Sequence, residues 1–218
     1  MPFSTYSELK ESIADWVNRD DFTTQIPDFI TLAEADMQRA LMTSNMELTT
    51  SLVTVANNPL VAVPTGFDGV RALRVFYDAI WHDVQNASLE PSLYNGVTNF
   101  RPVLYSIVGD SFKFRPTPNE AYSLELDYWA KFTPLSDAAP SNWILTNNPD
   151  AYLFGSLLAA APFLGEDARM GMWQQGYSSA IGQINEEGVT RQLGKTKLRA
   201  DPALTARGQV NAYNGRFW

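Results

Sequence analysis

Few residues in this chain could carry chemistry. His82 is the one histidine, and there is no cysteine. Sites that need two imidazoles, a thiolate, a disulfide framework or cysteine-bound zinc or iron–sulfur are therefore excluded. His82 with Asp83 could form an acid/base pair for a hydrolase, because imidazole titrates near neutrality. The two are neighbours in an expected strand, however, and adjacent strand residues point to opposite faces. The plainer reading of His82 is a surface or partly packed side chain. Gly194-Lys195-Thr196 ends like a phosphate-binding loop, but five residues separate Gly188 from Gly194 where that loop needs four, and no strand precedes it. Gly176-Tyr177-Ser178-Ser179-Ala180 lacks the second glycine of a nucleophile elbow. The carboxylate pairs Asp20-Asp21, Glu34 with Asp36, and Glu186-Glu187 could serve acid/base work or calcium, but their spacing fits no calcium loop. Solvated charge on loops and helix exteriors is the better reading. Neither a catalytic residue, nor a cofactor, nor a metal ligand is expected.

Charge is distributed unevenly. From Arg191 to the C-terminus there are six cations and one anion, a net +5, and the remaining residues carry −13. An acidic body is a poor match to nucleic acid, whose binding needs clustered cations. A basic arm on an acidic body suggests docking on something acidic. Residues 194–218 show little apolar periodicity and contain Gly194, Pro202, Gly208 and Gly215. Alone, such a segment buries too little surface to offset its ordering entropy. The first residues lack a cationic stretch followed by an apolar core, and no run approaches the ~20 apolar residues of a membrane span. Neither a signal peptide nor a membrane partner is expected.

The elements that would position these groups fall into three stretches. Thr5 and Glu8 form a capping box, and Tyr6, Leu9, Ile13, Trp16 and Val17 share one face of the helix that follows. A second helix, capped by Thr24 with Pro27 in its first turn, places Ile26, Phe29, Ile30, Ala33, Met37, Ala40 and Leu41 on one stripe. The short polar loop between them predicts an antiparallel hairpin of helices. From about residue 46 to 132 the texture becomes strand-like. Hairpin turns are expected at Asp78-Ala79 and Gly109-Asp110, with clean alternation from Ala121 to Trp129. Six or seven short strands would make a compact antiparallel sandwich or barrel, and Ser88 to Tyr94 reads as a short helix. Asn148-Pro149-Asp150 then opens a helix that is apolar nearly all round, and Glu166-Asp167 opens a last helix reaching about Arg191. The fold class expected is α+β: N- and C-terminal helices forming a helical bundle with an inserted antiparallel β module and an extended C-terminal tail.

Two blocks carry a resemblance. The first is Tyr6-Ser7-Glu8-Leu9, Ile13 to Arg19, Ile26 to Ile30 and Leu32 to Arg39. The second is Pro140 to Leu145, Asn148 to Leu158 and Ala161 to Leu164. Together they cover roughly half the chain. They resemble the phage head-to-tail adaptor (connector) proteins of short-tailed bacteriophages, with Ala159 standing where an acidic residue is the pattern. The resemblance implies a structural virion protein of the head–tail neck, made in the host cytoplasm. It implies a ring, usually dodecameric, that joins the portal protein to tail components such as a nozzle or fibre protein, with DNA passing through the channel without sequence-specific binding. It implies no catalysis. On this view residues 1–45 and 133–193 form the ring-making, portal-proximal helical part, 46–132 the inserted β domain, and 194–218 an extended basic arm. The arm's candidate partner-binding residues are Lys195, Lys197, Arg199, Leu204, Arg207, Tyr213, Arg216, Phe217 and Trp218. The cations would steer, and the buried rings would anchor. Two other classes fit the composition: a carbohydrate-binding or tail-fibre-associated module using the β region, and a hydrolase centred on His82.

Overall fold

The computed structural model describes residues 3–18, 22–87, 100–165 and 168–193. The expected arm, the expected helix at Ser88 to Tyr94 and the pair Asp20-Asp21 lie outside them.

Helix α1 (Tyr6–Val17) begins at the expected capping box, with Glu8 also accepting the Ser4 amide at 2.7 Å. Those bonds hold the Glu8 carboxyl below its usual range. Helix α2 (Ile26–Ala40) starts one residue later than the Thr24 cap implies. Gln25 is its N-cap and makes no side-chain capping bond, while the Thr24 hydroxyl donates to Gln25 Oε1. A 3₁₀ turn at Ser44–Met46 leads into the strands. These are β1 (Glu47–Val53), β2 (Leu60–Ala62), β3 (Phe67–Tyr77), β4 (Ile80–Asp83), β5 (Gln85–Asn86), β6 (Leu104–Val108), β7 (Ser111–Arg115) and β8 (Ser123–Ala130). Helices return as α3 (Trp143–Asn147), capped by Asn142, then α4 (Pro149–Leu164) and α5 (Met170–Leu193).

The strands form two four-stranded sheets ordered β1-β8-β3-β4 and β2-β7-β6-β5. Both expected hairpins are present. Asp78 and Ala79 both take positive φ, as a type I′ turn requires, and Gly109 does so in the β6–β7 turn. One face of each sheet closes on a shared core of Leu73, Val75, Tyr105, Phe112, Phe114, Leu124, Leu126 and Tyr128. The outer face of the first sheet is ionic. Arg74 bonds Asp127 at 2.5 Å and Glu125 at 3.0 Å, Arg71 pairs with Glu47, and Thr49 Oγ1 donates to Asp127 at 2.6 Å. The Thr49 bond, with help from Arg74, keeps the Asp127 carboxyl below its ordinary range.

The expected fold class is corrected on two points. The strands are not one antiparallel module, since β5 runs parallel to β6. The cause is local: the chain passes from β4 straight into β5 at the buried Val84, moving from one sheet to the other without reversing. Nor do the terminal helices form the expected bundle. α1 touches α2 but leans more on α4, and α2 and α5 both pack chiefly on α4. The resulting core takes Met46, Phe132 and Leu135 from the segments that flank the sheets. The reason lies in α4, whose Ala151, Tyr152, Leu153, Leu157, Ala160 and Ala161 are all buried. A helix apolar on every side needs neighbours on every side.

Candidate functional site

The helical region is built around a polar group that its sequence position concealed. Glu34 is 7% exposed. Its Oε1 accepts the Leu135 amide at 2.7 Å and the Tyr152 hydroxyl at 2.9 Å. Asn142 Nδ2 donates to the same Tyr152 oxygen at 2.6 Å and to the Thr133 carbonyl at 2.8 Å. Burial pushes the Glu34 carboxyl up, and burial beside Glu34 pushes the Tyr152 phenol up. The reading of Glu34 as solvated charge is therefore wrong. On α2 the residue falls beside Ala33 and Ile30, within the buried stripe. Asp36 is exposed but accepts the Tyr177 hydroxyl at 2.8 Å, and Glu186 and Glu187 are exposed on α5. The network straps the loop after β8 onto α2 and α4.

A second strap holds the crossover from α2 to β1. Asn185 of α5 accepts the Met42 amide at 3.0 Å and donates to the Ala40 carbonyl at 3.1 Å. Arg191 donates to Asn45 at 2.8 Å. Gly188 lies so close to Thr43 that a β-carbon there would stand 3.0 Å from its Cα. A larger residue would lift α5 off the crossover.

His82 and Asp83 do not come together. His82 is half-buried opposite Val75, with its ring 6.2 Å from Tyr77, while Asp83 is exposed opposite Arg74 on the other face. The His82–Asp83 pair therefore lacks the geometry of an acid/base pair. Ser178 and Ser179 lie on the exposed surface of α5, where helix runs through the supposed elbow.

What the described residues display most clearly is apolar surface. At the β3–β4 hairpin Phe76 is 43% exposed and Trp81 45%, their rings 5.2 Å apart and tilted by 59°. Behind them the partly exposed Tyr77 touches Phe100 and Tyr122, and the Arg101 guanidinium lies over the Tyr77 ring at 5.2 Å. Phe76 and Trp81 thus lie on one face of the hairpin and Tyr77 with Arg101 on the other, and Trp, Tyr, Phe and Arg are residues that interfaces concentrate. A cleft of about 580 Å³ runs between α2, α4 and α5, lined by Leu32, Asp36, Arg39, Leu158, Pro162 and Tyr177. A second, of about 530 Å³, lies where helices meet sheet, lined by Gln38, Met42, Met46, Asp68, Trp129 and Lys131. Periodicity placed most aromatics in the core. Which of them would stay outside was not legible, because Phe76 and Trp81 sit in strands like any other. Among the described residues no helix is long and apolar enough to cross a membrane.

The described residues thus form a helical core and a sheet core and leave an aromatic hairpin and open clefts at the surface. The model of the SU10 adaptor protein family matches residues 4–201, and the chain belongs to that family. It is a phage structural adaptor, a component of the virion that contacts other phage structural proteins. No curated protein matches the chain.

Proposed function

We propose that this adaptor forms a homo-oligomeric ring, dodecameric as the family resemblance implies, and that the ring joins the portal to tail components at the head–tail neck. The family match over residues 4–201 carries the reading. The helical core is the portal-proximal, ring-forming part. The sheets, with the exposed Phe76–Trp81 hairpin, face the tail. The arm from Gly194 to Trp218 docks on a neighbouring subunit or the portal. Its cations Lys195, Lys197, Arg199, Arg207 and Arg216 are attracted to acidic surface, and Leu204, Tyr213, Phe217 and Trp218 supply apolar anchors. Exposed ion pairs contribute under ~1 kcal/mol each, whereas burying one aromatic ring contributes roughly 2–3 kcal/mol. Many weak contacts around a ring add through multivalency, so a chain that is monomeric alone would assemble on the portal. DNA passes through the channel without base-specific contact.

The test is co-sedimentation of the purified chain with isolated portal rings, followed by electron microscopy of the complex. Retention with rotational symmetry matching the portal is expected. A portal ring that fails to retain the chain contradicts the proposal.

A further inference from the structure

The four edge strands end their sheets differently. β2 has three residues and follows Pro59, β5 has two residues, and β4 has four and carries Asp83. Short, charged or proline-flanked edges discourage further pairing. β1 is seven residues long, keeps an unshifted register with β8, and has neither charge nor proline from Leu48 to Val53. Among the described residues it pairs with β8 alone. Alternate residues of such an edge direct their N–H and C=O groups away from the sheet. The inner side is open too. Leu48 stands opposite Tyr128 on the core side yet is 51% exposed.

We propose that residues Lys195–Arg199 of the same chain add to β1 as a further, parallel strand. Two observations select this occupant. The first is where the described chain ends. Arg191 donates to Asn45 at 2.8 Å, and Asn45 lies two residues before β1 begins. The chain beyond Leu193 therefore departs at the N-terminal end of the free edge, within reach of a few extended residues at about 3.3 Å each.

The second observation is pattern and charge. Lys195-Thr196-Lys197-Leu198-Arg199 alternates charged and uncharged residues with the period of a strand. With the cations outward they lie beside Glu47, Thr49 and Ser51, with Asp127 and Glu125 next in β8. That face holds these three carboxylates against the two guanidiniums of Arg71 and Arg74. Thr196 and Leu198 then fall on the inner side, beside Leu48 and Thr50, which sets Leu198 between Leu48 and Leu52. Main-chain bonds hold such an added strand and alternate side chains set its register. The subunit thereby caps its own exposed edge and does not pair edge to edge with a second copy. The inference concerns the free subunit and does not depend on the ring.

Hydrogen exchange of the full-length chain, alone in solution, tests it. The β1 amides that point away from β8 exchange about tenfold or more slowly than in a chain truncated after Leu193. Leu198→Pro, which removes one donor and leaves the rest of the arm, abolishes the same protection. Amides shared by β8 and β3 stay protected in all three chains, which shows that the sheet persists. Lys195→Glu with Lys197→Glu gives a smaller, salt-sensitive loss. Equal β1 exchange in full-length and truncated chains overturns the proposal, and so does protection that survives Leu198→Pro. Protection that fades on hundredfold dilution assigns the edge to a second copy and overturns the same-chain assignment.

Discussion

Replacing Glu34 by alanine removes the acceptor shared by two buried donors, the Leu135 amide and the Tyr152 hydroxyl. A buried donor left without a partner costs about 1–3 kcal/mol. The Tyr152 oxygen keeps its bond from Asn142, so only its hydrogen is stranded. Loss of the side-chain methylenes from a nearly buried position adds about 0.8 kcal/mol each. Relief of a buried carboxylate, whose ionised form burial disfavours, works in the opposite direction. A net loss of about 3 kcal/mol is expected for Glu34→Ala at pH 7. Glu34→Gln keeps Oε1 as an acceptor in the same shape and removes the charge. It should lie within about 1 kcal/mol of wild type. Because burial raises the folded-state pKa of Glu34, the unfolded chain ionises first as pH rises. Wild type thus loses stability relative to Glu34→Gln between the ordinary carboxylate pKa and the raised folded value, and recovers it as pH falls back through that window. Urea unfolding of the three proteins at several pH values between 4 and 7 reads both effects. An alanine cost below about 1 kcal/mol, or a wild type that gains on the glutamine variant as pH rises, would refute the reasoning.

Five further outcomes are expected. Gly176→Ala should destabilise by about 1–3 kcal/mol in thermal melts, because the new β-carbon would lie 2.7 Å from the Phe154 ring. Gly182→Ala, with nothing within 4 Å, should stabilise α5 by up to about 1 kcal/mol. Asn185→Ala should speed amide exchange at Met42 and cost about 1–2 kcal/mol, since both of its bonds to the crossover are lost. The exposed pair Phe76→Ala/Trp81→Ala should leave thermal stability within about 1 kcal/mol while blocking addition of tail proteins to portal-bound adaptor; normal tail addition would show that the hairpin is not the tail-facing contact. Truncation after Gly194 should abolish portal retention, Phe217→Ala/Trp218→Ala should account for most of that loss, and neutralising Lys195, Lys197 and Arg199 should give a smaller, salt-sensitive one. Full retention by the truncated chain at moderate salt would remove the arm from the interface.

Local rules determined much of this protein in advance. The Thr5–Glu8 capping box, the Asp78-Ala79 and Gly109-Asp110 turns and the alternation through β8 each depend on neighbours in the chain, and each stands where the residues required. The family was legible for a similar reason, since its pattern lies in contiguous helical blocks. What tertiary structure alone decided are the relations between distant segments. Glu34 reads as a surface carboxylate because its burial comes from Leu135 and Tyr152, about a hundred residues away. Periodicity could not show that α4, rather than the α1–α2 loop, organises the helices, since a helix apolar all round gives no direction. The parallel β5–β6 pair was hidden as well. A two-residue strand is too short to show a period, and its partner is chosen by where the chain crosses between sheets at Val84. The edge of β1 is of the same kind: its residues read as a strand, and only the sheet order shows that nothing else described pairs with its outer side.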